Sequence, residues 1–321
     1  MKITVIGAGA MGSLYGAKLS ASPKNEVVLL DIWKEHVDAI NACGLLLEEG
    51  GEPVRYGNLS ASTDASLAGH ADFAIIFVKS TVTKQAVLGN IGAFGPKTTA
   101  ITLQNGLGNI DLISEVVGRE NVLAGTTAQG AMVLGPGKVR HSGHGRTVIG
   151  ELDGTKTTRI ETVHEMLSEA GFETTISDNV VGLVWDKLLV NAGINALVGI
   201  TGLFNGELLG YPELLEILEL AVLEGKKVAE SEGVKLGFPD PVSHALEVCA
   251  ATAETKASML QDVLNHRKTE IDMINGAIVR IGGRNGVETP VNRSLTNLIK
   301  FIEKHGMNFI EKHGEQIWKN E

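Results

Sequence analysis

The stretch Gly7-Ala8-Gly9-Ala10-Met11-Gly12 constrains this chain more than any other. It follows the apolar run at residues 2–6 and opens a segment of helical character reaching about Ser20. Three glycines at G-x-G-x-x-G spacing therefore sit at a strand-to-helix turn, the context in which that spacing is informative. There the first glycine permits a tight turn, the second lets a pyrophosphate approach the backbone, and the third lets helix and strand pack closely. The helix start, with Ala10 and Met11 in its first turn, offers unpaired N–H groups and a partial positive charge to phosphates. The competing reading is a glycine-rich turn that binds nothing.

Beyond the loop the chain keeps alternating between strand and helix. Val27 to Leu30 is a second apolar run ending in Asp31, with a helical stretch from about Lys34 to Cys43. Asp72 to Val78 reads as a third buried strand entering a helix near Ser80, and Thr98 to Leu103 and Val122 to Thr127 continue the series around a helix at 110–117. Strands alternating with helices imply a parallel sheet covered on both faces. Residues 139–150 look like β-structure with turns, Arg159 to Ala170 like an amphipathic helix, and Phe172 to Ile176 like one more strand. From Asp178 onward nearly everything has helical periodicity, with breaks at Pro212, Gly237 to Pro241 and Gly282 to Pro290. The expectation is an α/β Rossmann-type dinucleotide-binding domain over 1–177 and an all-α substrate and catalytic domain over 178–321.

Composition narrows the class of partner. The chain has 321 residues, 43% hydrophobic and 21% charged, enough apolar material for two cores. A net charge of −10 and only 4% aromatic residues argue against nucleic acid and against an anionic membrane surface. The N-terminus enters a strand directly, without the apolar region and cleavage site of a signal peptide, and runs such as Phe73 to Val78 are far shorter than the ~20 residues of a membrane helix. Cys43 and Cys249 show no metal or redox spacing and read as two free thiols in a reducing compartment. A cytoplasmic protein with a small-molecule ligand is expected.

Asp31 stands nineteen positions beyond Gly12, at the end of the second strand. A carboxylate there can accept hydrogen bonds from ribose hydroxyls and repels a 2′-phosphate, favouring NAD(H) over NADP(H), although Lys34 nearby offsets part of that repulsion. The competing reading is an Asp that caps the turn into the next helix. Further along, Lys187, Asn191 and Asn195 lie at i, i+4 and i+8 and share one helical face, with Asn205-Gly206-Glu207 beyond them. Polar groups in so apolar a helix are costly to bury unpaired, so this stripe is either a solvated face or the wall of a polar cleft. Ser258 and Gln261 have capping-box spacing, which would make Ser258 a helix cap. Spacing alone makes Glu270 a solvated acid on an amphipathic helix.

Several separated motifs together carry more than the glycine loop alone. The glycine loop, Val78-Lys79, Gln104-Asn105-Gly106, Lys187 to Asn195, Asn205-Gly206-Glu207, Ser258-Met259-Leu260-Gln261-Asp262 and Thr269-Glu270-Ile271-Asp272 occur in the order and separations of the ketopantoate reductase family, which the chain resembles over about residues 1–300. The resemblance implies NAD(P)H-dependent reduction of 2-ketopantoate to (R)-pantoate, a step toward pantothenate. It makes Lys187 the general acid and Glu270 the group that holds a substrate hydroxyl. Asn191, Asn195 and Asn205 would line the substrate pocket, and Ser258 would bind the substrate carboxylate. Lys79 and Asn105 match positions near the nicotinamide end and the substrate. Asp31 departs from the familiar NADPH-using members, which often carry a basic residue near this point. The stretch Asp31 to Val37 instead resembles a branch that includes NAD-dependent D-2-hydroxyacid dehydrogenases. A dehydrogenase of another branched or aromatic 2-hydroxy acid is therefore the alternative. A non-catalytic dinucleotide sensor is more remote, since both Lys187 and Glu270 are retained.

Four features receive no functional role. His141-Ser142-Gly143-His144 has no neighbouring acid or Cys to complete a ligand set, so no metal is expected. His36 reads as a surface residue. The apolar face of 213–228 suits core packing or a homodimer contact equally. Phe301 to Gly306 and Phe309 to Gly314 repeat one hexapeptide and read as an exposed terminal helix with its extension.

Overall fold

The computed structural model describes residues 1–306; the second copy of the C-terminal hexapeptide lies outside them. The chain divides into two compact units, one made of residues 1–104 and 108–181, the other of 105–107 and everything from 182 on. The division falls after Val181, four residues beyond the change of character near Ser177, and the strip 105–107 groups with the second unit.

The first unit runs β1 (Lys2–Ile6), α1 (Ala10–Ser20), β2 (Glu26–Leu30), α2 (Lys34–Cys43), β3 (Leu45–Glu48), β4 (Val54–Tyr56), β5 (Leu59–Ser62), β6 (Phe73–Ile76), α3 (Thr83–Gly89), β7 (Thr99–Thr102), α4 (Asn109–Val117), β8 (Val122–Thr127), β9 (Gly130–Gly135), β10 (Lys138–Gly143), β11 (Thr147–Glu151), α5 (Thr158–Glu169) and β12 (Thr174–Ile176). Eight strands form one sheet in the order β12-β11-β8-β7-β6-β1-β2-β5. All its pairings are parallel except β11 with β8. The central strands β1 and β6 are nearly continuous apolar runs because helices cover both faces of a parallel sheet. Tyr15 of α1 is fully buried, stacks on Phe172 at 4.1 Å and bonds through its hydroxyl to Thr127 and Thr147, so the polar tip of a core aromatic is satisfied.

A second, four-stranded sheet in the order β4-β3-β10-β9 was not expected in this detail. None of its strands is buried along its whole length, so they lack the unbroken apolar runs that mark the main sheet.

The second unit is helical: α6 (Val180–Thr201), α7 (Pro212–Ser231), α8 (Pro241–Ala251), α9 (Ser258–Leu264), α10 (Asn275–Asn285) and α11 (Pro290–His305). Pro212, Pro241 and Pro290 are each the first residue of a helix, where a missing N–H costs nothing and φ is already suitable. Gly282 lies inside α10; that helix ends instead at Gly286, which is left-handed at φ +70°. α6 is the central element. Among the described residues it alone is long and apolar enough to cross a bilayer, which the expectation of short apolar runs had overlooked; 72% of its most apolar window is buried inside the protein. Leu188 and Leu189 are wholly inaccessible, each worth roughly 1.5–3 kcal/mol of burial. Gly193 and Gly225 let α6 and α7 approach: a Cβ at Gly225 would stand 2.4 Å from Leu189, and one at Gly193 2.9 Å from Val222.

Candidate functional site

The glycine loop joins β1 to α1. Gly7 has φ +96°, and a Cβ there would meet the Val78 nitrogen at 2.7 Å; a Cβ on Gly12 would stand 1.8 Å from the Gly7 carbonyl oxygen. These two glycines are required by the protein's own backbone. Gly9 differs, since nothing of the protein lies within 4 Å of where its Cβ would be. The residue that no internal contact demands is the one that leaves the backbone bare to a ligand. α1 starts at Ala10 with no side-chain cap and no acidic residue in its first turn, which leaves Ala10 and Met11 presenting a positive helix end. The loop therefore fits a dinucleotide pyrophosphate.

Asp31 comes directly after β2. Its Oδ2 accepts the Ala8 N–H at 2.7 Å and its Oδ1 accepts the Trp33 N–H at 2.9 Å. Of the two roles weighed from sequence, the turn cap is realised, and the same carboxylate also braces the glycine loop, a contact the sequence did not suggest. Each oxygen keeps a further lone pair for a ribose hydroxyl. Lys79 is exposed at the start of the short turn after β6, in the same unit.

His36 is not a surface residue. It is fully buried, with Nδ1 accepting the Gly137 N–H at 3.0 Å and Nε2 3.1 Å from the Ser13 hydroxyl. Burial holds its pKa below the ordinary imidazole value, against the pull of Asp31. Nothing in the sequence signals this, because a buried hydrogen-bonded imidazole has the same letter as a solvated one.

The two histidines of β10 and the turn after it also differ from expectation. Glu49, ninety-two positions from His141, brings an acid to them, and the candidate ligand atoms of Glu49, His141 and His144 all lie within 4.8 Å of one another. The carboxylate is already held by the Lys18 ammonium at 2.9 Å and by His141 Nδ1 at 2.5 Å. Burial would raise the Glu49 carboxyl, but Lys18 and His141 outweigh it and hold it below the usual range. Lys18, Glu49 and His141 thus form one ion-pair network, and the expectation that no acid stands near these histidines is corrected.

In the second unit, α6 carries Lys187, Asn191 and Asn195 along one face as the i, i+4, i+8 spacing requires. Lys187 and Asn191 are half-buried and Asn195 is only 6% exposed, so the stripe is not a solvated face. Burial pushes the Lys187 ammonium down to about 8, opposed by the negative charge of Glu270. Glu270 is not on a helix; it precedes the short turn Ile271–Met273 and is 6% exposed. Asn105 Nδ2 reaches Glu270 Oε2 at 3.5 Å, and the strip is fixed by the Leu107 N–H, which donates to the Met273 carbonyl at 2.9 Å. Residues 105, 187 and 270 thus form one cluster: an amine tuned toward neutrality, a buried carboxylate and an amide.

Two residues that sequence reasoning missed hold Glu270 in place. The N–H and hydroxyl of buried Thr269 both donate to Glu303 Oε1 of α11, at 2.8 and 2.7 Å, and the same hydroxyl accepts the Ile271 N–H at 3.2 Å. Thr269 stands in a motif already quoted, but nothing in the sequence links it to Glu303. Asn205 lies in the turn after α6, where its Nδ2 donates to Thr252 Oγ1 at 2.9 Å, so its contacts run to the end of α8. Its neighbour Glu207 accepts the Phe204 N–H at 2.6 Å and caps the turn. Ser258 is the first residue of α9, whose cap position is Ala257; no side chain caps that helix, so the capping-box role is not realised and the Ser258 hydroxyl is not spent on it.

Comparison with known proteins agrees along nearly the whole chain. Residues 3–154 match the model of ketopantoate reductase PanE/ApbA, and residues 179–303 match that of its C-terminal part. A 2-dehydropantoate 2-reductase of Halobacterium salinarum is 37% identical over 95% of this chain and 100% of its own length. One from Pyrococcus horikoshii is 35% identical over 95% and 99%. Among solved structures, a D-mandelate dehydrogenase with NADH and anilino(oxo)acetate superimposes with a TM-score of 0.89 at 34% identity, covering 95% of this chain and 99% of that one. A PanE/ApbA family ketopantoate reductase from Ralstonia eutropha gives 0.87 at 35% identity over the same shares. On a dinucleotide loop, a tuned lysine beside a buried glutamate, and matches spanning both units, this chain belongs to the PanE/ApbA ketopantoate reductase family of NAD(P)-dependent oxidoreductases.

Proposed function

We propose that this protein reduces 2-ketopantoate to (R)-pantoate, with Lys187 as the general acid. The observation that carries the reading is the Lys187 amine, lowered to about 8 and facing the charge of Glu270. An acid of that strength is protonated at neutral pH yet gives up its proton readily, which suits transfer to an oxygen gaining negative charge. When bound, the reduced nicotinamide supplies the hydride. Lys187 polarises the keto oxygen and protonates it as the alcohol forms. Glu270 accepts a hydrogen bond from the substrate hydroxymethyl group and steadies the ammonium. Asn191, Asn195 and Asn205 line the substrate's place, Ser258 takes its carboxylate, and Lys79 and Asn105 serve the nicotinamide end. Gly7, Gly9, Ala10, Met11 and Gly12 hold the pyrophosphate.

A second reading has a specific observation behind it. Asp31 directly follows β2, a position at which a carboxylate favours NADH by repelling a 2′-phosphate, and the similar D-mandelate dehydrogenase structure contains NADH. An NADH-dependent dehydrogenase of another branched or aromatic D-2-hydroxy acid would use the same lysine. The two separate on substrate. 2-Ketoisovalerate lacks the hydroxymethyl group and would forfeit its hydrogen bond to the Glu270 carboxylate, a loss of about 1–3 kcal/mol or roughly 5- to 150-fold in kcat/KM. Steady-state rates with NADH and NADPH, each against ketopantoate, 2-ketoisovalerate and the keto acid of mandelate, test both readings. A clear preference for ketopantoate supports the first, and equal or better turnover of the other acids with NADH replaces it by the second.

A further inference from the structure

His36 and Ser13 belong to the first unit, and both are wholly buried. The Gly137 N–H donates to His36 Nδ1 at 3.0 Å, which leaves that nitrogen without a proton and puts the ring's hydrogen on Nε2. Nε2–H then donates to Ser13 Oγ at 3.1 Å, and the Ser13 hydroxyl donates to the Ala8 carbonyl at 2.8 Å. On the other side of the same residue, the Ala8 N–H donates to Asp31 Oδ2 at 2.7 Å. Every donor and acceptor in this run points one way, and it ends on the backbone of the residue between Gly7 and Gly9. Trp33 stacks on the His36 ring with centroids 4.8 Å apart and limits its rotation.

The physical need is evident from the loop's composition. Three glycines in six residues give the turn its close approach and also its freedom, and a loop that must be ordered by its ligand binds it more weakly. Pinning the Ala8 carbonyl and N–H from opposite sides fixes both peptide planes that meet at Ala8, leaving the Gly9 side bare. Ser13 alone could rotate its hydroxyl elsewhere; the proton from His36 Nε2 occupies one of its lone pairs and directs its own hydrogen to Ala8. We infer that His36, acting through Ser13, is a positioning residue that preorganises the glycine loop for the dinucleotide, and so sets cofactor affinity without touching the cofactor. This rests on the reading that the loop holds NAD(P)H.

The two ring nitrogens can be tested separately. In His36→Gln the side-chain N–H can replace Nε2–H toward Ser13, and the acceptor for Gly137 is lost. In His36→Asn the side-chain oxygen can replace Nδ1 toward Gly137, and the donor to Ser13 is lost. NADH Kd by fluorescence titration, KM and kcat for the keto acid, and Tm would be measured for wild type, both variants, Ser13→Ala and the double variant His36→Asn/Ser13→Ala. The expected result is an NADH Kd about tenfold higher in His36→Asn and Ser13→Ala, the size of one lost hydrogen bond. The double variant should be no worse than Ser13→Ala, His36→Gln should stay within about threefold of wild type, and kcat at saturating NADH should hold throughout. Asn and Gln variants equally impaired in Kd and Tm would show a merely structural imidazole and overturn the inference. So would additive effects of His36→Asn and Ser13→Ala. A wild-type protein that binds neither NADH nor NADPH would instead remove the dinucleotide reading itself, and the inference with it.

Discussion

The dinucleotide loop and the lysine cluster are built on opposite principles. The loop is local: six consecutive residues supply the turn, and its braces Ser13, Asp31 and His36 all lie within the first β-α-β-α run. The cluster is assembled from residues 105, 187 and 270, with Glu270 held by Thr269 and Glu303. The loop works through backbone shape, which only glycine permits, and the cluster through side-chain chemistry tuned by burial. A local site is robust to change elsewhere and intolerant of change within; an assembled one is sensitive at a distance.

The sharpest way to break the comparison is Lys187→Ala. We expect kcat for keto-acid reduction to fall by about 10²–10⁴-fold with NADH affinity within twofold, checked by steady-state kinetics and fluorescence titration. Loss of cofactor binding as well would show that the two regions are not separable. The pH profile carries the same logic. As the proposed general acid, Lys187 would act in its protonated form, so the wild-type rate should decline as pH rises through about 8, while oxidation of the hydroxy acid, which would need the free amine, should rise through the same point. Gly12→Ala is the converse probe. Its methyl group would stand 1.8 Å from the Gly7 carbonyl, so dinucleotide affinity should drop by at least tenfold with a stability loss of about 1–3 kcal/mol, seen in urea titrations. Smallest is Glu303→Ala, outside the cluster itself. Releasing Thr269 should lower kcat about three- to tenfold, with NADH binding unchanged; an unaltered kcat would mean that Thr269 needs no anchor.

The same contrast explains what could be seen in the sequence. The glycine loop and β1, β2, β6, β7 and β8 were legible because a turn at fixed spacing and buried parallel strands each write a contiguous signal. So was the i, i+4, i+8 stripe of α6, since helical period survives in the letters. The second sheet was not, because β3 and β4 are only four and three residues long and β9 never reaches a buried position, so none writes an unbroken apolar run. Glu270 and His36 were misplaced on the surface for one reason: burial of a polar residue depends on partners far away in the chain, here Asn105 for one and Gly137 for the other. Glu49 beside His141 is the same case. The motif resemblance implies a role for Glu270; its burial and its contact with Asn105 are visible only in the structure.

The strip at 105–107 bears on how the protein is made. The Leu107 N–H pairs with Met273, and Asn105 with Glu270, more than half the chain later. At the usual pace of synthesis, about 5–20 residues per second, roughly ten to thirty seconds separate the appearance of that strip from that of its partners. During this interval a newborn chain can close its parallel sheet and shape a nucleotide loop while the carboxylate that Asn105 will meet has yet to be made. The contact between Asn105 and Glu270 is therefore among the last that synthesis permits, and a chain cut short before residue 270 would keep the glycine loop without it.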